Sequence, residues 1–198
     1  MCEGQMAMAH FPVGWRILVA AVCLGVVTGD ALAKPLAAPM DRTKGAIFRD
    51  VIKLGLCQGE VEGDRCGHVD IDPMEVTIKT KGSRIYTVEG NIVFGPRAPK
   101  SRVARARRDA INLVRYLLPA WKDGPRWAGG KFDVALDTLC PQVIWQNGFT
   151  ILLAQQRINY REGTYIAVIV TRSRSPGEVT QTLGWDGCDL KAGRYRHG

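Results

Sequence analysis

Val143-Ile144-Trp145-Gln146-Asn147-Gly148-Phe149-Thr150-Ile151-Leu152-Leu153 is the stretch that decides the fold. Two β-rich runs flank Asn147-Gly148. Both turn residues tolerate positive φ, so a tight antiparallel hairpin is expected here. Arg161-Glu162-Gly163 marks a second turn, and Tyr165-Ile166-Ala167-Val168-Ile169-Val170 follows as an unbroken apolar run. A run that is apolar on both parities reads as a central strand covered on both faces. The last third is therefore a meander, with an irregular Gly-, Arg- and Ser-rich tail expected from about residue 172.

Working back from the hairpin, two helices are expected. Phe132, Val134, Ala135, Leu136 and Leu139 supply the apolar positions of a helix over about 132–139. Val103, Ala106, Ala110, Leu113, Val114 and Leu117 form a longer apolar stripe. That stripe predicts a helix over 101–118, capped by Ser101 and stopped by Pro119. Before it, Met74-Glu75-Val76-Thr77-Ile78-Lys79 alternates as a half-buried strand does. Tyr86, Val88, Ile92 and Phe94 share a parity interrupted by Gly90, which predicts one strand bulged at Gly90 or two short strands. Ile47, Val51, Ile52 and Leu54 predict a first helix over about 43–56. The order α-β-β-α-α-β-β-β predicts an α+β fold: an antiparallel sheet of about five strands with two to three helices on one face.

The N-terminus reads differently. Arg16 precedes the apolar run Ile17–Val27, and Ala31-Leu32-Ala33 closes it with a small-x-small pattern. This is the layout of a secretory signal peptide, residues 1–33, cleaved after Ala33. The run is shorter than the roughly 20 apolar residues of a membrane span, so no transmembrane segment is expected after its removal. Lipid attachment at Cys23 fits poorly, because bulky Val22 precedes it and apolar residues continue beyond it. Residues 34–41 are expected to be a flexible leader and 42–198 a single domain, in a periplasmic or secreted protein.

Export would make the cysteines candidate disulfides. Cys57, Cys66, Cys140 and Cys188 follow the leader, and the favoured pairing is Cys57–Cys66 and Cys140–Cys188. Their spacing matches no zinc pattern, and no cofactor is implied.

The chain of 198 residues carries a formal charge of +8, which becomes +9 if Glu3, Arg16 and Asp30 leave with the first 33 residues. Such a balance favours anionic partners. Six cations fall within twelve residues: Arg97, Lys100, Arg102, Arg105, Arg107 and Arg108. Cations near a helix N-terminus oppose the helix dipole, so an anion bound there would offset a local cost. On a helix, Arg105, Arg108, Asn112 and Arg115 share a face. The plainer alternative is a solvated face kept basic for solubility.

Two weaker constellations remain. His68, Asp70 and Asp72 alternate and would project to one side of an extended segment. They could bind a divalent cation or run acid–base hydrolysis, against the alternative of a polar loop entering a strand. Trp121 and Trp127 flank the mixed loop Lys122–Arg126, which suits glycan or single-strand stacking, or simply anchors a loop. There is no G-x-S-x-G elbow, phosphate loop or dinucleotide fingerprint.

The leading expectation is a non-enzymatic, envelope-associated module. It would bind an anionic envelope polymer, a lipid headgroup or an acidic protein surface, with nucleic acid ranked behind these. The rivals are a small hydrolase at His68, Asp70 and Asp72, and an inhibitor-like module that pairs through the open edge of the meander.

Overall fold

The computed structural model describes residues 38–68, 73–95, 97–138, 140–157 and 164–173, and the backbone of two short strands at 188–189 and 194–195. All of these lie in one unit, residues 36–198. The first 35 residues, which hold the signal-peptide expectation, lie outside the described residues, as do Asp70, Asp72 and the 161–163 turn.

A short 3-10 turn, Pro39–Asp41, leads into helix α1, Lys44–Lys53. The Thr43 side chain caps α1 by accepting from Ala46 N–H at 3.3 Å. The helix stops short of the expected residue 56, because Gly55 takes a φ of 69° just past its end. Strands β1 (Val61–Glu62) and β2 (Arg65–Cys66) form a small hairpin inside the cysteine loop, closed by the Cys57–Cys66 disulfide. Then come β3 (Glu75–Lys81), β4 (Arg84–Phe94), helices α2 (Lys100–Leu117) and α3 (Gly124–Thr138), and strands β5 (Gln142–Gln146), β6 (Phe149–Arg157) and β7 (Thr164–Thr171).

These strands make one antiparallel sheet in the order β1-β2-β3-β4-β7-β6-β5. The α+β class is as expected. The sheet has seven strands rather than five because the short polar loop between Cys57 and Cys66 supplies two short ones. In the tail, β8 (Cys188–Asp189) and β9 (Arg194–Tyr195) pair as a separate ladder.

The apolar run 165–170 lies at the sheet's centre, between β4 and β6. Ile166, Val168 and Val170 align with Ile92, Gly90 and Val88, and together with Ile151, Leu153, Val76 and Ile78 they line the helix-covered face. Ile47 and Val51 of α1, Leu113 and Leu117 of α2, and Phe132 of α3 join the same core. The alternate residues Ala167 and Ile169, with Leu152 and Ala154 of β6, form a second buried cluster on the other face. Burying both parities explains why this strand carries no polar alternation.

Three expectations are corrected. Strand β4 is not bulged at Gly90; the register shift falls at Lys79/Thr80 in β3. Gly90 serves close approach instead. A Cβ there would lie 2.5 Å from Leu113 Cδ2 and 2.6 Å from Met74 Sδ, so only glycine lets α2 and Met74 seat on the strand. Ser101 is not the cap of α2. Pro99 is, in extended geometry and without a side-chain bond, so the helix begins one residue earlier. Helix α3 starts at Gly124, not near Phe132, with Pro125 in its first turn. Gly129 and Gly130 dilute its apolar period, which hid the first half.

The hairpin turn is as expected, with Asn147 at φ 51° and Gly148 at φ 83°. Arg172, placed by expectation at the start of an irregular tail, is instead a strut. It donates to the carbonyls of Ile85 (2.9 Å) and Met40 (3.0 Å) and to the Asp41 carboxylate, and it lies over the Phe149 ring.

Candidate basic face on helix α2

Helix α2 turns Ala106, Asp109, Ala110, Leu113, Val114 and Leu117 inward. Its 3.6-residue period then fixes where each cation points. Lys100, Arg105, Arg108 and Arg115 are exposed, with Asn112 half-buried among them. Arg97 is exposed in the segment before the helix.

The six cations of the cluster are not equivalent. Arg107 lies on the side facing α3 and clamps Asp133 with both arms, Nε to Oδ1 at 2.9 Å and Nη2 to Oδ2 at 3.1 Å. A Cβ on Gly129 would sit 2.9 Å from Arg107 Nη2, so the glycine makes room for this guanidinium. Arg102 reaches back to the sheet and donates to the Val93 carbonyl at 3.3 Å. Both side chains are engaged by neighbouring elements, Arg102 by the sheet and Arg107 by a surface ion pair with α3. Arg105 leans toward Asp109, Nε to Oδ2 at 3.8 Å. Arg97, Lys100 and Arg108 make no hydrogen bond or ion pair with other described residues, and neither does Arg115.

Asp109 is the counter-charge of this face. It is 9% exposed, and its Oδ2 has no hydrogen-bond partner among the described residues. Burial raises its pKa above the ordinary carboxylate range, opposed by Arg105, Arg108 and Arg102. One buried carboxylate near three guanidiniums leaves the face positive.

On the far side of the helix, Tyr116 donates its hydroxyl to Asp50 of α1 at 2.8 Å, and Arg42 pairs with the same carboxylate. The Tyr116 bond is the main cause that lowers the Asp50 pKa; burial opposes it and Arg42 assists. Burial and the Asp50 bond together raise the Tyr116 pKa.

The weaker constellations stand apart from this face. His68 is exposed and lines a cleft of about 190 Å³ with Glu60, Glu62, Arg65 and Glu75. Its companions Asp70 and Asp72 lie outside the described residues. No group of three His, Cys, Asp or Glu with metal-holding geometry occurs among the described residues.

Trp121 is buried and packs at a tilt against Trp127, ring centroids 5.6 Å apart, and Trp127 sits on α3 rather than in a loop. The pair therefore anchors the α2–α3 connection to the core. Composition alone missed an open cleft of about 500 Å³ along α3, where Trp127 meets Arg126, Lys131 and Asp123. The early start of α3 is what creates it.

Cys57 and Cys66 are bonded to each other, as expected. Cys140 is also disulfide-bonded, and the Cys188 side chain expected opposite it lies outside the described residues. Among the described residues, no helix is long and apolar enough to cross a membrane. No protein-family model, curated protein or solved structure matches the chain.

Proposed function

We propose that this protein is an exported, non-enzymatic module that binds an anionic partner through the outer face of α2. Arg97, Lys100, Arg105 and Arg108 would make the contacts, with Arg115 extending them along the helix. Arg102 and Arg107, members of the same sequence cluster, serve the fold that presents them. The observation that carries this reading is the sorting of cations by helix phase: Arg102 and Arg107 turn toward the sheet and α3 and are hydrogen-bonded there, Arg105 pairs only loosely with Asp109, and Arg97, Lys100, Arg108 and Arg115 have no carboxylate partner among the described residues. The signal-like layout of residues 16–33 and the Cys57–Cys66 disulfide support a location outside the reducing cytoplasm. The partner is any surface dense in phosphate or carboxylate: an envelope polymer, an anionic lipid headgroup or an acidic protein.

The test is retention of the oxidised full chain on phosphatidylglycerol vesicles, an acidic polysaccharide and a DNA duplex across a salt series. The expected result is binding to one of the first two that falls steeply with salt. A basic side chain near an anionic membrane contributes about 1 kcal/mol, so Arg105→Gln with Arg108→Gln should weaken vesicle binding roughly 30-fold. Circular dichroism should show the fold retained, with a modest drop in melting temperature because Arg105 and Arg108 offset the burial of Asp109. Equal retention of that double variant would overturn the assignment.

A further inference from the structure

Among the described residues the seven-stranded sheet has two unpaired edges, and only one is guarded. The β1 edge is two residues long, sits in a disulfide-closed loop and is flanked by Glu60, Glu62 and Arg65. Short, charged edges of this kind resist pairing with another chain. The β5 edge is five residues, Gln142-Val143-Ile144-Trp145-Gln146, with no charge and no proline inside it. Trp145 stands 42% exposed on it, one of few large apolar side chains left in solvent among the described residues.

The register says which backbone groups are open. The tight turn at Asn147-Gly148 pairs Gln146 with Phe149, Ile144 with Ile151 and Gln142 with Leu153. In a two-residue hairpin these are the pairs that exchange both hydrogen bonds, so the N–H and C=O of Val143 and Trp145 point away from β6. No described residue outside the sheet bonds to them.

We propose that β5 is a self-association edge. A second copy of this chain would pair its β5 antiparallel to the first about Ile144, joining two sheets into one continuous sheet. The occupant is argued from the strand itself, whose chemistry is close to palindromic about Ile144. Antiparallel pairing on that centre sets Val143 against Trp145 of the second copy, and Trp145 against its Val143. Each of these pairs exchanges two hydrogen bonds. The result is two aromatic–β-branched cross-strand pairs on one face, Ile144 against Ile144 on the other, and glutamine against glutamine at both ends. An isologous interface needs this self-complementarity. A charged foreign strand would gain nothing from an edge that offers it no counter-charge. The same neutrality spares the strand from local like-charge repulsion, although the chain as a whole carries +8.

The experiment is sedimentation of the oxidised full chain over a concentration series at low and high salt. The expected species is a dimer that tightens as salt screens the net charge, the opposite sign to anion binding by α2. Val143→Pro removes an outward N–H while leaving the β5–β6 ladder its bonds, so two inter-copy hydrogen bonds vanish. Its dimer constant should weaken roughly tenfold or more, with the melting temperature little changed.

Register supplies an independent check. Two Ile144→Cys copies would face each other as a non-hydrogen-bonded pair, with Cα atoms about 4.5 Å apart and within disulfide reach. Two Trp145→Cys copies would be offset by two residues and out of reach. Selective cross-linking of Ile144→Cys is expected. A wild-type chain that stays monomeric to its solubility limit at high salt would overturn the proposal. So would cross-linking of Trp145→Cys in preference to Ile144→Cys.

Discussion

At the β1 end the sheet stops on a two-residue strand that is held from several directions. The Cys57–Cys66 bond closes its loop, and Lys44 of α1 donates to the Gly63 carbonyl in its turn at 2.8 Å. At the β5 end the sheet stops on five uncharged residues carried by one hairpin turn. The first end contains little apolar side-chain surface of its own and depends on a covalent closure. The second depends on local turn geometry and on Ile144 packing against the core. Stability at the two ends therefore has different chemical origins, and each can be removed separately.

The largest effect should come from the covalent closure. Replacing Cys57 and Cys66 together with Ser opens a loop of sequence separation 9, which should cost about 2–3 kcal/mol in denaturant unfolding. Amide exchange should rise in β1 and β2 and stay unchanged in β5 and β6. Uniform loss of protection across the sheet would show that the two ends are not independent.

A smaller effect is expected at Tyr116, which anchors α1 and so supports the β1 end. Tyr116→Phe removes a hydrogen bond to a carboxylate and should cost about 1.5 kcal/mol at neutral pH. The Asp50 pKa is lowered by folding, so its contribution is present above the ordinary value near 3.8 and is lost as pH falls through the folded value. Without the Tyr116 bond the folded pKa rises. Acid unfolding should begin at higher pH than in the wild type, as read by circular dichroism; an unshifted acid transition would contradict that account.

The smallest effect belongs to the open end. Gly148→Ala places a side chain at φ 83° and should cost about 1 kcal/mol. It should speed amide exchange near the β5–β6 turn while sparing the disulfide hairpin.

What the sequence made legible was local. Asn147-Gly148 between two β-rich runs announces its own turn, and the α2 stripe from Val103 to Leu117 announces its own buried side. The Cys57–Cys66 pair follows from two cysteines across a short polar loop. What stayed hidden depends on distant partners. Gly90 looks like a bulge in one dimension and is a clearance for Leu113 and Met74 in three. Arg107 and Arg108 are identical neighbours in the chain, yet one residue of helix turns the side chain by about 100°. That rotation carries one guanidinium to Asp133 and the other into solvent. The cluster could be found by composition, but only the position of α3 sorts its members. The α3 start is hidden because Gly129 and Gly130 erase periodicity, the first of them where Arg107 needs room.

The position of β7 has a consequence for how the chain is made. Its residues join the sheet last in sequence yet sit inside it, between β4 and β6, and the Thr87 hydroxyl donates to that of Thr171 across 84 residues at 2.9 Å. A ribosome that has released β1 to β6 has released two separate ladders with no shared middle. Neither can bury its apolar face until residues 164–171 arrive between them. The molecule should therefore have no stable halfway form. The sheet then closes in one long-range step whose rate is limited by topology rather than by any single element.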